Sequence, residues 1–477
     1  LQNDALLVLY YRPIRANVSQ LVRENIDPVG VVSMTAIISR ALRTFAVAIF
    51  LSLSLAFGAF PQSMRVHFID VGQGAATLVE FPCAAVLVDT GGEMNAEFKS
   101  DGELTAYLDD FFKRRPDLNK TFHLLVLSHA HVDHTHGVPS VLSRYKILNA
   151  ITNGQEPPGP GLPGQRALHQ KVADTEETSD SSDDIGFVAA TVKKIPQGRG
   201  LTNAVIDPVK CGNVDPKIRL LWGGQNTNPG WTKAAFENQN NHSVVTRIDF
   251  GGASLLITGD LQEEAIIDLI EHYRGSTLLD VDVYQVGHHG SHNATTEELL
   301  EAITPKVAVI AMGTPSRELP WTAWKYGHPR KNIVQMLERH VEQSRSRITA
   351  QVATGVETFE ARRISRAIYG TGWDGSVVLE ADTAGRWNHV DPALEPPSPL
   401  ASAAAAAPED TDLVNINTAS VEQLAALPRM GLERANAIVN YRASSGPFKS
   451  TEQLEQVKGI GPATAVTLRS FVTVGRN

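Results

Sequence analysis

Between residues 124 and 137 the chain reads LLVLSHAHVDHTHG, an apolar run that ends in His129, His131, Asp133 and His134. Neutral imidazole and carboxylate are the nitrogen and oxygen donors that zinc prefers. The H-x-H-x-D-H spacing can present two ligand sets from one loop, so two adjacent ions can be held. Eight of the fifteen histidines fall in 123–136 or 288–292, a concentration that a merely polar loop does not explain. Asp260, at the end of ITGD, suits a carboxylate bridging two ions. His288 and His289 follow in VGHHGS, where a capped helix start accounts for one imidazole but not both. The segment KYGHPRK supplies His328 among Lys325, Arg330 and Lys331, groups able to hold phosphate oxygens, with His328 the donor best placed near a scissile bond. Its plainer reading is a solvated helix start. Asp133, Asp260 and His328 are thus the candidate catalytic groups.

These residues need elements that bring them together. A five-residue apolar run reads as a buried strand, and the chain leaves it in a tight loop. The same pattern recurs: RVHFIDVGQG ends at Asp70 with Gly72 and Gly74 behind it, AAVLVDTGG ends at Asp89, 253–259 ends at Asp260, and 281–286 runs into the histidine pair. Helical stretches at 104–114, 295–303 and up to 341 alternate with strands at 243–250, 304–312 and within 366–387. That alternation predicts an α/β layered domain. The Pro/Gly-rich 155–164 and the six acidic residues of 174–184 read as solvated loops.

At 477 residues the chain exceeds one ordinary core, and its net charge of -9 excludes a protein that coats nucleic acid along its whole surface. Cys83 and Cys211 are too few for a thiolate zinc site; they either pair in an exported protein or stay as two buried thiols. Residues 1–33 show no persuasive period and read as upstream translation or a disordered segment. Residues 34–60 carry basic residues and then the apolar run 45–60, a signal peptide or an uncleaved anchor. Both place the remainder outside the cytoplasm, periplasmic or extracellular. An alanine/proline linker occupies 391–412.

Residues 413–477 carry two Lys and five Arg against four Glu, reversing the overall charge. Two helix, glycine-turn, helix units about thirty residues apart form an internal duplication, with Gly431 and Arg434 in the first and Lys458, Gly459 and Gly461 in the second. A glycine turn opening a helix points backbone N–H groups outward, a phosphate site without base readout. A small protein-interaction bundle is the alternative.

In order, IDVGQG, LVDTGG, SHAHVDHTHG, NNHS, ITGD, VGHHGS and YGHP make 64–390 resemble the metallo-β-lactamase-like domain of ComEC-type DNA-uptake competence proteins. VNINTAS, LPRMG, GPF and VKGIGPATA make 413–477 resemble the tandem helix-hairpin-helix domain of competence DNA receptors. The polytopic membrane region of channel-type relatives does not occur in this sequence. Arg429 stands where the first hairpin usually has Gly, and His136 also stands at a usual Gly position and reads as a helix start. The resemblance implies an αββα sandwich with a small all-α C-terminal domain and two divalent ions, zinc first and manganese as the alternative. It assigns one ion to His129, His131 and His242, the only candidate for the histidine before a strand, and the other to Asp133, His134 and His288 or His289, with Asp260 between. The expected activity is phosphodiester hydrolysis of DNA gripped by its backbone. Hydrolysis of small esters, lactones or nucleotides is the second reading, and non-catalytic DNA capture the third.

Overall fold

The computed structural model describes residues 62–391 and 414–474, apart from 157–158, 177–183, 213, 426, 428–429, 462–463, 466–467 and 469–471. The segments 1–33 and 34–60, the linker, most of the acidic run and Arg429 lie outside the described residues. Among the described residues no helix is long and apolar enough to cross a membrane.

Two sheets form the first body. One has eight strands, in the order Trp387–Val390, Val377–Asp382, Ser63–Phe68, Thr77–Phe81, Ala84–Val88, Leu124–Val126, Asn149–Thr152 and Gly186–Ala189. The other has six, in the order Ile368–Gly370, Val307–Ile310, Val283–Gln285, Ala253–Ile257, Val245–Phe250 and Lys217–Trp222. Strand residues alternate between two cores, as the pleat requires. Val86, Val88, Leu124 and Val126 join the core that also holds Ile248, Leu255 and Ile257 of the second sheet. Leu87 and Leu125 instead join Leu104, Leu108, Phe111, Val138 and Val141 from helices Ser100–Arg114 and Val138–Arg144. With helices Glu263–His272, Glu297–Ile303 and Lys331–His340 packed into the first of these cores, the layers are αββα. Both faces of each central strand are covered, which is why they read as continuous apolar runs.

Within each sheet the strands that carry the motifs are parallel. Ala84–Val88, Leu124–Val126 and Asn149–Thr152 run together, as do Ala253–Ile257, Val283–Gln285 and Val307–Ile310. Parallel strands present their carboxyl ends on one edge, where ligands of open α/β sheets gather.

Two features differ from the sequence reading, and a third settles an alternative that it left open. Residues 162–176 form the helix Leu162–Glu176 where loops were expected on both sides; Leu168 and Val172 bury its inner face. The antiparallel pair Ser344–Gly355 and Thr358–Arg366 was not anticipated. Only Ala350, Val352, Ala353 and Ile364 of it are fully buried, so its alternation is diluted by arginines. Cys83 and Cys211 are joined as a disulfide across 128 residues, tying the turn after Thr77–Phe81 to the approach to Lys217–Trp222.

The C-terminal module has its own core of Ile416, Leu424, Ile438, Leu454, Ile460 and Leu468. Helices Val421–Ala425 and Gly431–Ser445 are accompanied by a short parallel strand pair from the two ends of the module, Val414–Asn415 with Val472–Thr473, an addition to the all-α expectation. Asn417 stitches the chain ends: its amide donates to the carbonyls of Phe448 and Val474, and its oxygen accepts from the Phe448 N–H.

Candidate metal centre

Asp260 is the hub. Its carboxylate lies 3.1 Å from His134 Nε2, 3.6 Å from His289 Nε2, 3.7 Å from His288 Nε2 and 3.9 Å from His129 Nε2. Asp133 reaches His289 Nε2 at 3.3 Å, and His131 Nδ1 sits 3.0 Å from His129 Nε2. Thus seven of the eight expected ligands converge, and the pair His288 and His289 is brought in whole.

The rings are aimed by bonds made on their far sides. His134 Nδ1 donates to Asp89 at 2.8 Å, and His289 Nδ1 donates to the Ala311 carbonyl at 2.7 Å. Each bond leaves the Nε2 lone pair pointing inward, the usual arrangement around a metal. Asp89 also accepts from the Ser128 N–H and hydroxyl at 2.7 and 2.8 Å. It was not singled out as a site residue from sequence, although its place at a strand end, like that of Asp260, was the available signal. His288 and His289 have φ of 49° and 55°, left-handed backbone that costs about 1 kcal/mol or more for each side chain. The turn is held there by the His288 N–H donating to the Gly259 carbonyl at 3.2 Å.

A cation fits this set. Asp133, His134, Asp260 and His289 offer ligand atoms all within 4.8 Å of one another. His134 Nε2, His289 Nε2 and Asp260 Oδ2 are buried with no hydrogen-bond partner, an arrangement that is expensive unless a further group is bound. Electrostatics agree. Burial alone would discharge Asp260, but the imidazoles of His134, His289 and His288 outweigh it and hold the carboxyl well below the usual range. Burial opposes charge on His134 as well, yet Asp260 and Asp89 raise it well above the usual imidazole range. Positive charge between these carboxylates is favoured. His129 is pushed well below its ordinary value by burial and by His134 and His131, so its ring stays neutral and able to ligate.

His242 is a correction. Its Nε2 donates to the Phe236 carbonyl at 2.7 Å, and its Nδ1 accepts from the Gln225 N–H at 3.0 Å, with the Gln155 amide also at 3.0 Å. Both nitrogens are committed to the protein and the ring packs beside Phe236 and Trp231. Its neighbours face the site instead: Ser243 Oγ accepts from the Asp260 N–H at 3.1 Å, and Asn241 Oδ1 accepts from the Gln262 N–H at 3.2 Å. His136, read from sequence as a helix start, instead closes the short helix Val132–Thr135 as its C-terminal cap, and Gly137 opens the next helix.

His328 comes to the same edge, its ring centroid 5.7 Å from that of His288 and 6.2 Å from that of His289. Burial, with His289 and His288 nearby, holds it well below the usual range, so it is neutral. Gln73, missed as a site residue, lies 3.1 Å from its Nδ1 through Nε2. The Gly313 N–H donates to Gln73 Oε1 at 3.4 Å, which orients the amide with its N–H toward His328. Nδ1 therefore accepts and the proton sits on Nε2. Glu93 holds the Gln73 backbone N–H at 3.1 Å and is itself paired with Arg317 at 2.7 Å. The basic residues beside His328 are engaged: Lys325 pairs with Glu357 at 2.6 Å, Lys331 with Glu360 at 2.8 Å, and Arg330 donates to the Tyr326 carbonyl at 3.1 Å. They are less free for phosphate than their sequence suggests.

In the C-terminal module Gly431 and Gly459 have φ of 67° and 88°, the backbone that the hairpin turns need and glycine alone adopts without strain. Lys458 and Gly461 are exposed, and Arg434 lies on the helix that Gly431 opens, its Cγ 3.9 Å from where a Cβ on Gly459 would stand.

Comparison with known proteins agrees with this architecture. Residues 69–314 match the metallo-beta-lactamase superfamily model, and residues 409–473 match the helix-hairpin-helix motif. The chain is 27% identical over 292 residues to ComE operon protein 3 of Bacillus subtilis, covering 58% of this chain and 31% of that protein. It is 27% identical over 276 residues to Recombination protein 2 of Haemophilus influenzae, covering 58% of this chain and 26% of that one. It therefore spans less than a third of the length of either relative. The C-terminal module is 40% identical over 62 residues to ComE operon protein 1 of B. subtilis, 13% of this chain and 30% of that protein. A matched model over half the chain, the αββα layers and a carboxylate ringed by imidazoles at the strand ends agree: this chain belongs to the metallo-beta-lactamase superfamily, with a helix-hairpin-helix motif at its C-terminal end.

Proposed function

We propose that the chain is an exported, dinuclear metal-dependent nuclease that holds DNA through its C-terminal module. The observation that carries the reading is that one chain joins a buried cluster of unpartnered ligand atoms to a helix-hairpin-helix motif. One ion would be held by Asp133, His134, His289 and Asp260, the other by His129, His131 and Asp260, with His288 at the rim. Zinc suits this imidazole-rich set best and manganese is the alternative. Two bound divalent ions supply a nucleophile at neutral pH and neutralise the charge of a pentacoordinate phosphate.

The protein's own groups do the rest. Asp89 and the Ala311 carbonyl keep His134 and His289 in the tautomer that leaves Nε2 open. His328 presents Nε2–H toward the scissile group and, as a neutral imidazole, donates a hydrogen bond to the charge that builds on the phosphate oxygens. Gln73 keeps the proton on that nitrogen. Gly431, Arg434, Lys458, Gly459 and Gly461 take the DNA backbone. Export is supported by the Cys83–Cys211 disulfide, since such bonds persist in oxidising compartments.

Purified protein incubated with plasmid, linear duplex and single-stranded DNA should cut at least one of them, lose the activity in EDTA, and lose at least about a hundredfold in rate in Asp260→Ala. DNA left intact at every metal tried would overturn the proposal. A small-ester or lactone hydrolase is the second reading, favoured by the engagement of Lys325 and Arg330 within the protein. It requires turnover of small esters without DNA cleavage in the same assay.

A further inference from the structure

We propose that Trp321 and Tyr326 form a stacking platform for an unpaired nucleobase beside the metal cluster, so that the DNA is taken as a single strand or a frayed end. This rests on the nuclease reading for its substrate, and on the following geometry for its site. Six large apolar side chains stand exposed among the described residues, and three of them, Trp321, Tyr326 and Val356, belong to one corner. Trp321 is 57% exposed and Tyr326 37%. Single exposed apolar residues need no explanation, but a gathering of them at a site edge does.

The rings form a continuous series. Trp321 meets Tyr326 edge-on at 6.4 Å and 64°, Tyr326 stacks on His328 at 5.9 Å and 25°, and His328 stacks on His289 at 6.2 Å and 28°. His289 Nε2 in turn lies 3.6 Å from Asp260. The series thus runs from solvent to the ligand hub with no break.

The platform is also held in place. Trp321 has φ of 63°, a conformation unusual for a bulky side chain and one that surrounding structure must enforce. Thr322 Oγ1 donates to the Leu319 carbonyl at 2.7 Å and accepts from the Lys325 N–H at 3.3 Å. The turn of the long hairpin clamps the segment from the other side: the Glu357 N–H donates to the Trp324 carbonyl at 3.1 Å and Glu357 pairs with Lys325. Further along, the Ala353 N–H donates to the Pro329 carbonyl at 2.8 Å. A strained, pinned and exposed tryptophan is poorly explained by stability alone.

A flat aromatic face without charge suits a nucleobase, because every base has a π-face and stacking needs no sequence readout. Within a duplex both faces of a base are covered by its neighbours, so only an unpaired or terminal base can use the platform. The two nucleic-acid contacts then divide: backbone charge at the C-terminal module, base stacking here.

The test uses the full chain in EDTA, so that no cleavage occurs. Binding of octathymidylate and of an abasic strand of equal length is measured for the wild type, Trp321→Ala and Trp321→Phe. Trp321→Ala should weaken octathymidylate binding about tenfold, Trp321→Phe should restore most of it, and the abasic strand should be insensitive to both. Equal weakening of both strands, or of neither, overturns the platform, as does protection of Trp321 fluorescence by an oligosaccharide or peptide in preference to the oligonucleotide. Loss of cleavage with metal present, while Trp321-dependent binding persists, would sink the nuclease reading and leave the platform standing.

Discussion

Gln73 and His328 stand 255 positions apart in sequence and 3.1 Å apart in space. The contact decides which nitrogen of His328 carries its proton, and the Gly313 N–H on the other end of the amide keeps Gln73 from turning over. If His328 hydrogen-bonds the phosphate through Nε2–H, replacing Gln73 by leucine removes the tautomer preference without adding charge. Gln73→Leu should lower kcat about ten- to a hundredfold, as loss of such supporting bonds does elsewhere. The loss should fall on kcat with KM nearly unchanged, and bound metal, read by elemental analysis, should stay at the wild-type level. A parallel loss of bound metal would mean that Gln73 only supports the fold.

Strand ends, and the short loops between them, set the position of every ligand. The loops after Ala84–Val88 and after Ser63–Phe68 pack directly on the histidine loop: the Thr90 N–H donates to the His134 carbonyl at 2.8 Å and the Ala75 N–H to that of Asp133 at 3.0 Å. A Cβ on Gly91 would stand 2.0 Å from the Asp133 carbonyl carbon, backbone that has nowhere to go. Gly91→Ala should therefore cost about 1 to 3 kcal/mol in urea unfolding and displace Asp133 enough to lower bound metal, read by elemental analysis. A second element-level device ties the first sheet to helix Ser100–Arg114. Glu80 pairs with Arg115 at 2.6 Å and with His67 at 3.3 Å, and His67 bonds the Tyr107 hydroxyl at 2.8 Å. Burial would raise Glu80, but His67 and Arg115 overcome it and bring it down to about 2. A depressed carboxyl contributes stability above its unfolded value near 4.5, and that contribution is lost as pH falls from there toward 2. The loss amounts to about 3 kcal/mol. Urea unfolding between pH 7 and 3 should show about 2 kcal/mol of it, and Glu80→Gln should flatten the profile over that window.

At the scale of the whole chain, two modules with separate cores serve one proposed substrate. The disulfide closes a loop of 128 positions within the αββα body, and the C-terminal module closes on itself through Asn417 and the Val414–Asn415 strand pair. If the hairpins hold phosphate, duplex affinity should fall steeply with salt and depend little on sequence. Lys458→Ala should weaken all sequences alike and reduce the slope of log affinity against log salt by about one. An unchanged slope would remove Lys458 from the backbone contacts.

Much of the site was legible in sequence, because its residues occupy the ends of apolar strands and parallel strands bring such ends to one edge whatever their order. His129, His131, Asp133, His134, Asp260 and the histidine pair could all be named from residue type and position. Local pattern also gave away the layered α/β body and the two glycine hairpins. It could not say which way a ring turns. His242 sits between two residues that face the site and is itself bonded away from it. Nor could spacing reveal that Asp89 supports His134 or that Gln73 supports His328. Composition left open whether Cys83 and Cys211 pair, and the hairpin that clamps the Trp321 segment was hidden. Local sequence encodes the course of the backbone and the chemistry carried along it. The partner of a side chain hundreds of residues away is set by strand order and sheet packing, and those exist only once both cores have closed.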